Sequence, residues 1–231
     1  MLTAPQNPAE RLALVRENIA RAAHAAGRDA GSITLIGAAK SQPLDRLRAA
    51  IDAGLADLGE NYVQEAGGHF DALAGRAVVR HFIGALQSNK TKAAAELFDW
   101  VHSVDRLRIA ERLSAQRPAS MPPLSVCIQV SLGGDSTRSG VAPAGLAALA
   151  EGVARLPRLV LRGLMCLPPQ EADRDRQRRW FAELRQLLER LNAAGHRLDV
   201  LSMGMSGDYE SAIAEGATQL RIGTAIFGER A

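Results

Sequence analysis

Apolar and polar positions along the chain follow two alternating periods. Over residues 9–26, Leu12, Leu14, Val15, Ile19 and Ala22 recur at helical spacing, opposite Arg11, Arg16, Glu17 and Arg21. That pattern predicts an amphipathic helix. An uncharged run of strand length, SITLIGAA (32–39), comes next, then PLDRLRAAIDAG, with Pro43 at a helix start and Gly54 at its stop. The cycle recurs, with further strands predicted at 56–60, 78–84, 99–104, 124–130, 159–167, 198–204 and 219–224. Helical patterns such as TKAAAELF, RLRIAERLSAQ, AGLAALAEGVARL, RQRRWFAELRQLLERLNAAG and YESAIAEG lie between them. Strands alternating with helices predict a parallel sheet covered by helices. Eight such units in 231 residues favour a single-domain (β/α)8 TIM barrel, for which about 250 residues is typical, over a doubly wound open sheet. No linker-like segment divides residues 1–231; RPASMPPLS (117–125) reads as an ordinary loop.

Composition narrows the class. A hydrophobic fraction of 47% supports a substantial core. Lys and Arg number 28 against 25 acidic residues, and a net charge of +3 is too mild to imply a nucleic-acid partner. Cys127 and Cys166 sit in apolar strand-like runs and fit no metal spacing, so they read as reduced core residues rather than a disulfide. The N-terminus lacks the apolar core of a signal peptide, and no run of 18 apolar residues occurs. A cytoplasmic, membrane-free location is the expectation. The basic run RDRQRRW (174–180) reads as a solvated helix face rather than an anionic docking surface.

In a barrel, reactive groups sit at the carboxyl ends of the strands. Lys40 stands at such an end, directly after the uncharged stretch Ile33–Ala39. A neutral amine is a nucleophile for carbonyl compounds, and desolvation favours the neutral form. The alternative is a lysine in open solvent. After strand 7, LSMGMSGDYESA places Ser206 and Gly207 before a helix; strand 8 ends in RIGTAIFG, with Gly223 and Thr224 opening the last turn. Loops after strands 7 and 8 commonly hold phosphate, glycines letting backbone approach the anion and hydroxyls adding donors. Plain helix capping by Ser206 or Asp208 is the simpler explanation for either motif alone. Arg221 is a permanent cation within an otherwise apolar strand. It faces either the helical layer or the barrel interior; from the interior it would meet a cofactor ring and keep a pyridine nitrogen unprotonated.

The motifs GENYVQEA (59–66), HFIGALQSNKTK (81–92), FDWVHSVDRL (98–107), LRGLMCLPP (161–169), LSMGMSGDYESAIAEG (201–216) and RIGTAIFG (221–228) cover nearly the whole chain. Through them the chain resembles the pyridoxal-phosphate homeostasis protein family, single-domain relatives of the alanine racemase barrel. The resemblance implies that Lys40 carries pyridoxal 5'-phosphate covalently as a Schiff base. It implies that Ser206, Gly223 and Thr224 hold the phosphate, that Arg221 faces the pyridine nitrogen, and that Asn61, His81 and Met203 line the pocket. It further implies a role in managing cofactor supply without catalysis, with apo-forms of pyridoxal-phosphate enzymes as partners; a monomer is expected. Two positions depart from the family: Gln42 stands where a second lysine often follows, and Arg138 replaces a lysine before Ser-Gly. Each removes an accessory amine.

An amino-acid racemase is the competing reading. Racemisation needs a base on each face of the substrate, and the racemases take one from an added β domain. The chain ends seven residues after Thr224, which favours the carrier. A barrel enzyme with Lys40 as an aldolase-type residue is the third reading. Tyr62 and Tyr209, the only tyrosines, are further acid–base candidates, with packing as the default.

Overall fold

A computed structural model gives the structure of residues 7–133 and 139–229. Eight strands alternate with helices: β1 (Thr34–Ala38), β2 (Asp57–Glu60), β3 (Val79–Phe82), β4 (Trp100–Val104), β5 (Leu124–Val130), β6 (Leu159–Cys166), β7 (Val200–Ser202) and β8 (Gln219–Ile222). Each pairs in parallel with the next, and β8 pairs with β1 through Thr34–Gln219 to Gly37–Ile222, closing the barrel. The helices are α1 (Pro8–Ala25), α2 (Leu44–Asp52), α3 (Val63–Ala72), α4 (Thr91–Leu97), α5 (Leu107–Gln116), α6 (Leu146–Ala154), α7 (Arg174–Ala193), α8 (Tyr209–Ala214) and α9 (Thr224–Phe227). The (β/α)8 barrel predicted from the alternation is the observed fold.

Local chemistry explains the boundaries. The Asn7 side chain accepts from the Glu10 N–H and Pro8 fills the first turn, which starts α1. The helix buries Leu12, Val15, Ile19 and Ala23, whereas Leu14 is 43% exposed and falls outside the apolar face assigned to it. Strand β1 starts later than the apolar run, because Asp29 caps a 3₁₀ turn that takes up Ser32. Predicted strand 198–204 shortens to β7, as the Asn192 carboxamide binds Leu198 at both backbone groups and Gly204 turns at φ +96°.

The apolar core lies mainly between the strands and the helices, built around Phe82, Phe98, Phe181, Phe227, Leu47 and Leu113. The barrel interior is different. It carries His81, His102, Ser202, Gln219 and Arg221, all buried. Cys127 and Cys166 are buried free thiols, and burial pushes both up to about 12. Most of the basic run 174–180 is exposed along the start of α7, where Arg174 and Arg178 pair with Glu210 and Glu215. Arg138 lies outside the described residues. No helix among the described residues is long and apolar enough to cross a membrane.

One close approach limits what closes the ring. A Cβ on Gly163 of β6 would sit 1.9 Å from the Val200 carbonyl oxygen of β7. Gly163→Ala must therefore push the two strands apart. It should cost about 1–3 kcal/mol, and each kcal/mol should lower the melting midpoint by about 2–4 °C. A thermal melt with the midpoint within about 1 °C of the parent protein would contradict this packing.

Candidate functional site

A cavity of about 790 Å³ opens at the carboxyl ends of the strands. Its wall includes Lys40, Asn61, Ser206, Arg221, Gly223 and Thr224, six of the eight residues singled out from the sequence. Lys40 follows β1 by two residues and is half-buried, with its ammonium 5.3 Å from the centre of the Tyr62 ring. The turn after it is strained: Ser41 has φ +54°, a left-handed conformation costing a non-glycine residue about 1–2 kcal/mol. The Gln42 N–H closes the turn on the Ala39 carbonyl at 3.0 Å. The chain has three lysines, and Lys40 is the one on this wall; Lys92 is 74% exposed on α4.

Across the cavity, two loops present donors. The N–H groups of Ser206, Gly207 and Thr224 and the hydroxyls of Ser206 and Thr224 have no hydrogen-bond partner among the described residues. The capping explanation fails for Ser206. Asp208 takes the N-cap position of α8 but turns its carboxylate back to accept from the Met205 N–H at 2.6 Å, which fixes the loop that exposes Ser206 and Gly207. Burial pushes the Asp208 carboxyl up, against the lowering effect of that bond and of Arg221. At Gly223 a Cβ would come 3.3 Å from the Ala38 carbonyl, so the glycine keeps the β8–α9 turn close to β1.

Arg221 forms the floor. It is 4% exposed, donates from Nη1 to Ser202 Oγ at 2.7 Å and from Nη2 to the Cys166 carbonyl at 2.9 Å. No carboxylate pairs with it among the described residues. Burial lowers its proton affinity from the ordinary arginine value, but a guanidinium starts so high that it stays charged. On the opposite wall, Glu60 points to the helical layer, with Oε1 2.7 Å from His69 Nδ1, while its neighbour Asn61 faces the cavity. Gly84 packs against that junction: a Cβ there would lie 2.2 Å from the Asn61 carbonyl oxygen.

Two expected wall residues lie elsewhere. His81 is 1% exposed and sits below the cavity, bonded to Asp57 and His102. Strand periodicity explains this: Ile83, two residues on, takes the wall position. Met203 is fully buried in the layer between barrel and helices, because Ser202 before it points inward, and Met205 reaches the wall instead. Tyr209 packs partly buried against the core; burial raises its phenol. Sequence reasoning missed Gln42 as a wall residue. It is 5% exposed, and its Oε1 is buried without a hydrogen-bond partner. It also missed Asp57, His102 and Ser202 beneath the floor. The available signal was one polar residue in each of several apolar strands.

The fold and the site have counterparts among known proteins. Residues 11–231 match the family described as alanine racemase, N-terminal domain. The pyridoxal phosphate homeostasis protein of Pseudomonas aeruginosa is 55% identical over 222 residues, covering 96% of this chain and 95% of that protein. Its namesake from Escherichia coli K12 is 48% identical over 225 residues, covering 96% of each. PipY of Synechococcus elongatus PCC7942, solved with pyridoxal phosphate bound, superposes with a TM-score of 0.86 at 37% identity, over 96% of this chain and all of that one (100%). An alanine racemase from Clostridium difficile 630 shares the barrel alone, with a TM-score of 0.73 at 14% identity over 95% of this chain and 57% of its own. With a lysine and a set of free donors facing each other across the mouth of that barrel, the chain belongs to the pyridoxal phosphate homeostasis protein family.

Proposed function

We propose that this protein holds pyridoxal 5'-phosphate covalently on Lys40 and serves cellular vitamin B6 homeostasis, without a committed reaction on amino acids. One observation carries the reading: a single cavity has an amine on one side, unpartnered anion donors on the other and a buried cation in its floor. The residues suit the group. Lys40 Nζ supplies the nucleophile for an aldehyde. Ser206, Gly207 and the Gly223–Thr224 turn offer N–H and O–H groups to a phosphate, from loops where barrels commonly bind one. Arg221 offers a donor to a ring nitrogen. Gln42 and Asn61 bring carboxamides to the wall beside Lys40, and the unpartnered Gln42 oxygen is an acceptor awaiting a donor. When bound, the cofactor supplies an electrophilic aldehyde and an electron-withdrawing ring.

The same geometry argues against efficient catalysis. Racemisation requires a base on each face of the substrate. Apart from Lys40, the candidate bases on the wall are Asp208, which accepts from the Met205 N–H at 2.6 Å, and Glu171, 3.8 Å from Arg176; neither is paired with Lys40 across the cavity. Arg221, permanently charged, donates to a ring nitrogen rather than protonating it, which weakens the electron sink. The exposed Ser206, Gly207 and Thr224 leave the cavity open to solvent, as exchange of a carried ligand requires.

Ser206→Ala should remove one hydrogen bond to a charged group, worth about 1.5–3 kcal/mol or roughly one to two decades of affinity. Absorbance titration with pyridoxal phosphate reads that loss, while pyridoxal without phosphate should bind parent and variant alike. Equal weakening for both ligands would place the effect in folding instead. Incubation of loaded protein with L-alanine in deuterium oxide, followed by proton NMR and chiral chromatography, addresses catalysis. Cα exchange and racemisation should stay within about tenfold of the free cofactor, or roughly 1.4 kcal/mol of barrier. Turnover of about 1–1,000 per second would make the protein an enzyme and overturn the carrier assignment.

A further inference from the structure

A chain of hydrogen bonds crosses the barrel interior beneath the cavity and joins five strands. Arg221 Nη1 on β8 donates to Ser202 Oγ on β7 at 2.7 Å, and Ser202 Oγ lies 2.8 Å from His102 Nδ1 on β4. His102 Nε2 lies 2.9 Å from His81 Nδ1 on β3, and His81 Nε2 lies 2.9 Å from Asp57 Oδ1 on β2. Asp57 is the first residue of β2, at the end of the barrel away from the cavity, and its side chain is 20% exposed. None of the four residues that follow Arg221 in this chain lines the cavity.

The ends of the chain have fixed polarity. A guanidinium only donates and a carboxylate only accepts. With both imidazoles neutral, one arrangement satisfies every link. Ser202 accepts from Arg221 and donates to His102 Nδ1; His102 donates from Nε2 to His81 Nδ1; His81 donates from Nε2 to Asp57. The alternative places a second proton on His81, reverses His102, and leaves Ser202 accepting from both sides. Its hydrogen then has no acceptor among the described residues. A buried hydroxyl without a partner is costly. Burial of His102, beside His81 and Arg221, also pushes its pKa well below the usual histidine value, in keeping with a neutral ring.

We propose that Asp57, His81, His102 and Ser202 are positioning residues that act as one directional chain to hold the Arg221 guanidinium at the cavity floor, aimed at the ring of the bound ligand. The identity of that ligand rests on the pyridoxal-phosphate reading above. Among the described residues no carboxylate fixes the plane of Arg221, so the Ser202 oxygen and the Cys166 carbonyl determine how the guanidinium is turned. Ser202 can serve only while its own hydrogen is drawn to His102, and that demand passes strand by strand to Asp57.

Two measurements separate this chain from the ligand assignment. In cofactor-free protein near neutral pH, nitrogen-15 NMR of the imidazoles should show both rings neutral, with the proton on Nε2 and a bare Nδ1. A proton on His102 Nδ1, or an imidazolium at His81, would overturn the directional chain whatever the protein binds. In protein loaded with pyridoxal phosphate, Ser202→Ala and Asp57→Ala should move the absorption band of the bound cofactor and speed its loss about tenfold. Ser202→Thr, which keeps the hydroxyl, should restore both. Folded variants with the parent's band and release rate would refute the positioning role. Parent protein that takes up no pyridoxal phosphate would sink the functional reading, while the imidazole spectra still decide the chain.

Discussion

A permanent positive charge sits inside this barrel, and much of the interior is arranged around it. Taking a guanidinium out of water costs several kcal/mol unless its donors find partners. Arg221 meets that demand with a hydroxyl and a main-chain carbonyl rather than a carboxylate. Among the described residues that choice leaves the charge at the floor of the cavity without a directly paired carboxylate. It also sets the polarity of the interior: barrels of this class usually fill the centre with bulky branched residues, whereas here Ser202, His102 and His81 occupy inward positions. The apolar core is correspondingly placed outside the strands, against the helices.

The cavity is assembled from several elements that share little sequence proximity. Lys40 comes from just after β1, Asn61 from just after β2, Ser206 from the β7–α8 loop, and Gly223 and Thr224 from the β8–α9 turn. Closure of the ring through β1 and β8 is what brings the first and last of these together. Binding groups on a rigid frame with an open mouth suit a ligand that must be held and given up. The structure stores a modest strain at Ser41, in the turn that carries Lys40 to the cavity.

Much of this was legible in the sequence, for physical reasons. Eight apolar runs alternating with helical patterns leave few topologies, and Lys40, Ser206 and Thr224 fall at strand ends, where barrel chemistry resides. What was not legible depends on the two-residue period of strands, in which an error of one position moves a side chain to the other face. The family resemblance places Met203 at the cavity, yet Ser202 takes the inward position and sends it outward. His81 does face inward, but one layer too deep. Gln42 read as a lost lysine; only three dimensions show its oxygen buried beside the cavity without a partner. The link from Arg221 to Asp57 spans 164 positions of sequence and could not be seen from any local motif.

Under the proposed function, Lys40 is the residue that carries the cofactor. The chain contains three lysines, Lys40, Lys90 and Lys92, so the assignment can be read without ambiguity. Borohydride reduction of protein loaded with pyridoxal phosphate, followed by proteolysis and peptide mass spectrometry, measures it directly. The phosphopyridoxyl group is expected on the peptide containing Lys40. A label found mainly on Lys90 or Lys92, or no label at all, would contradict it.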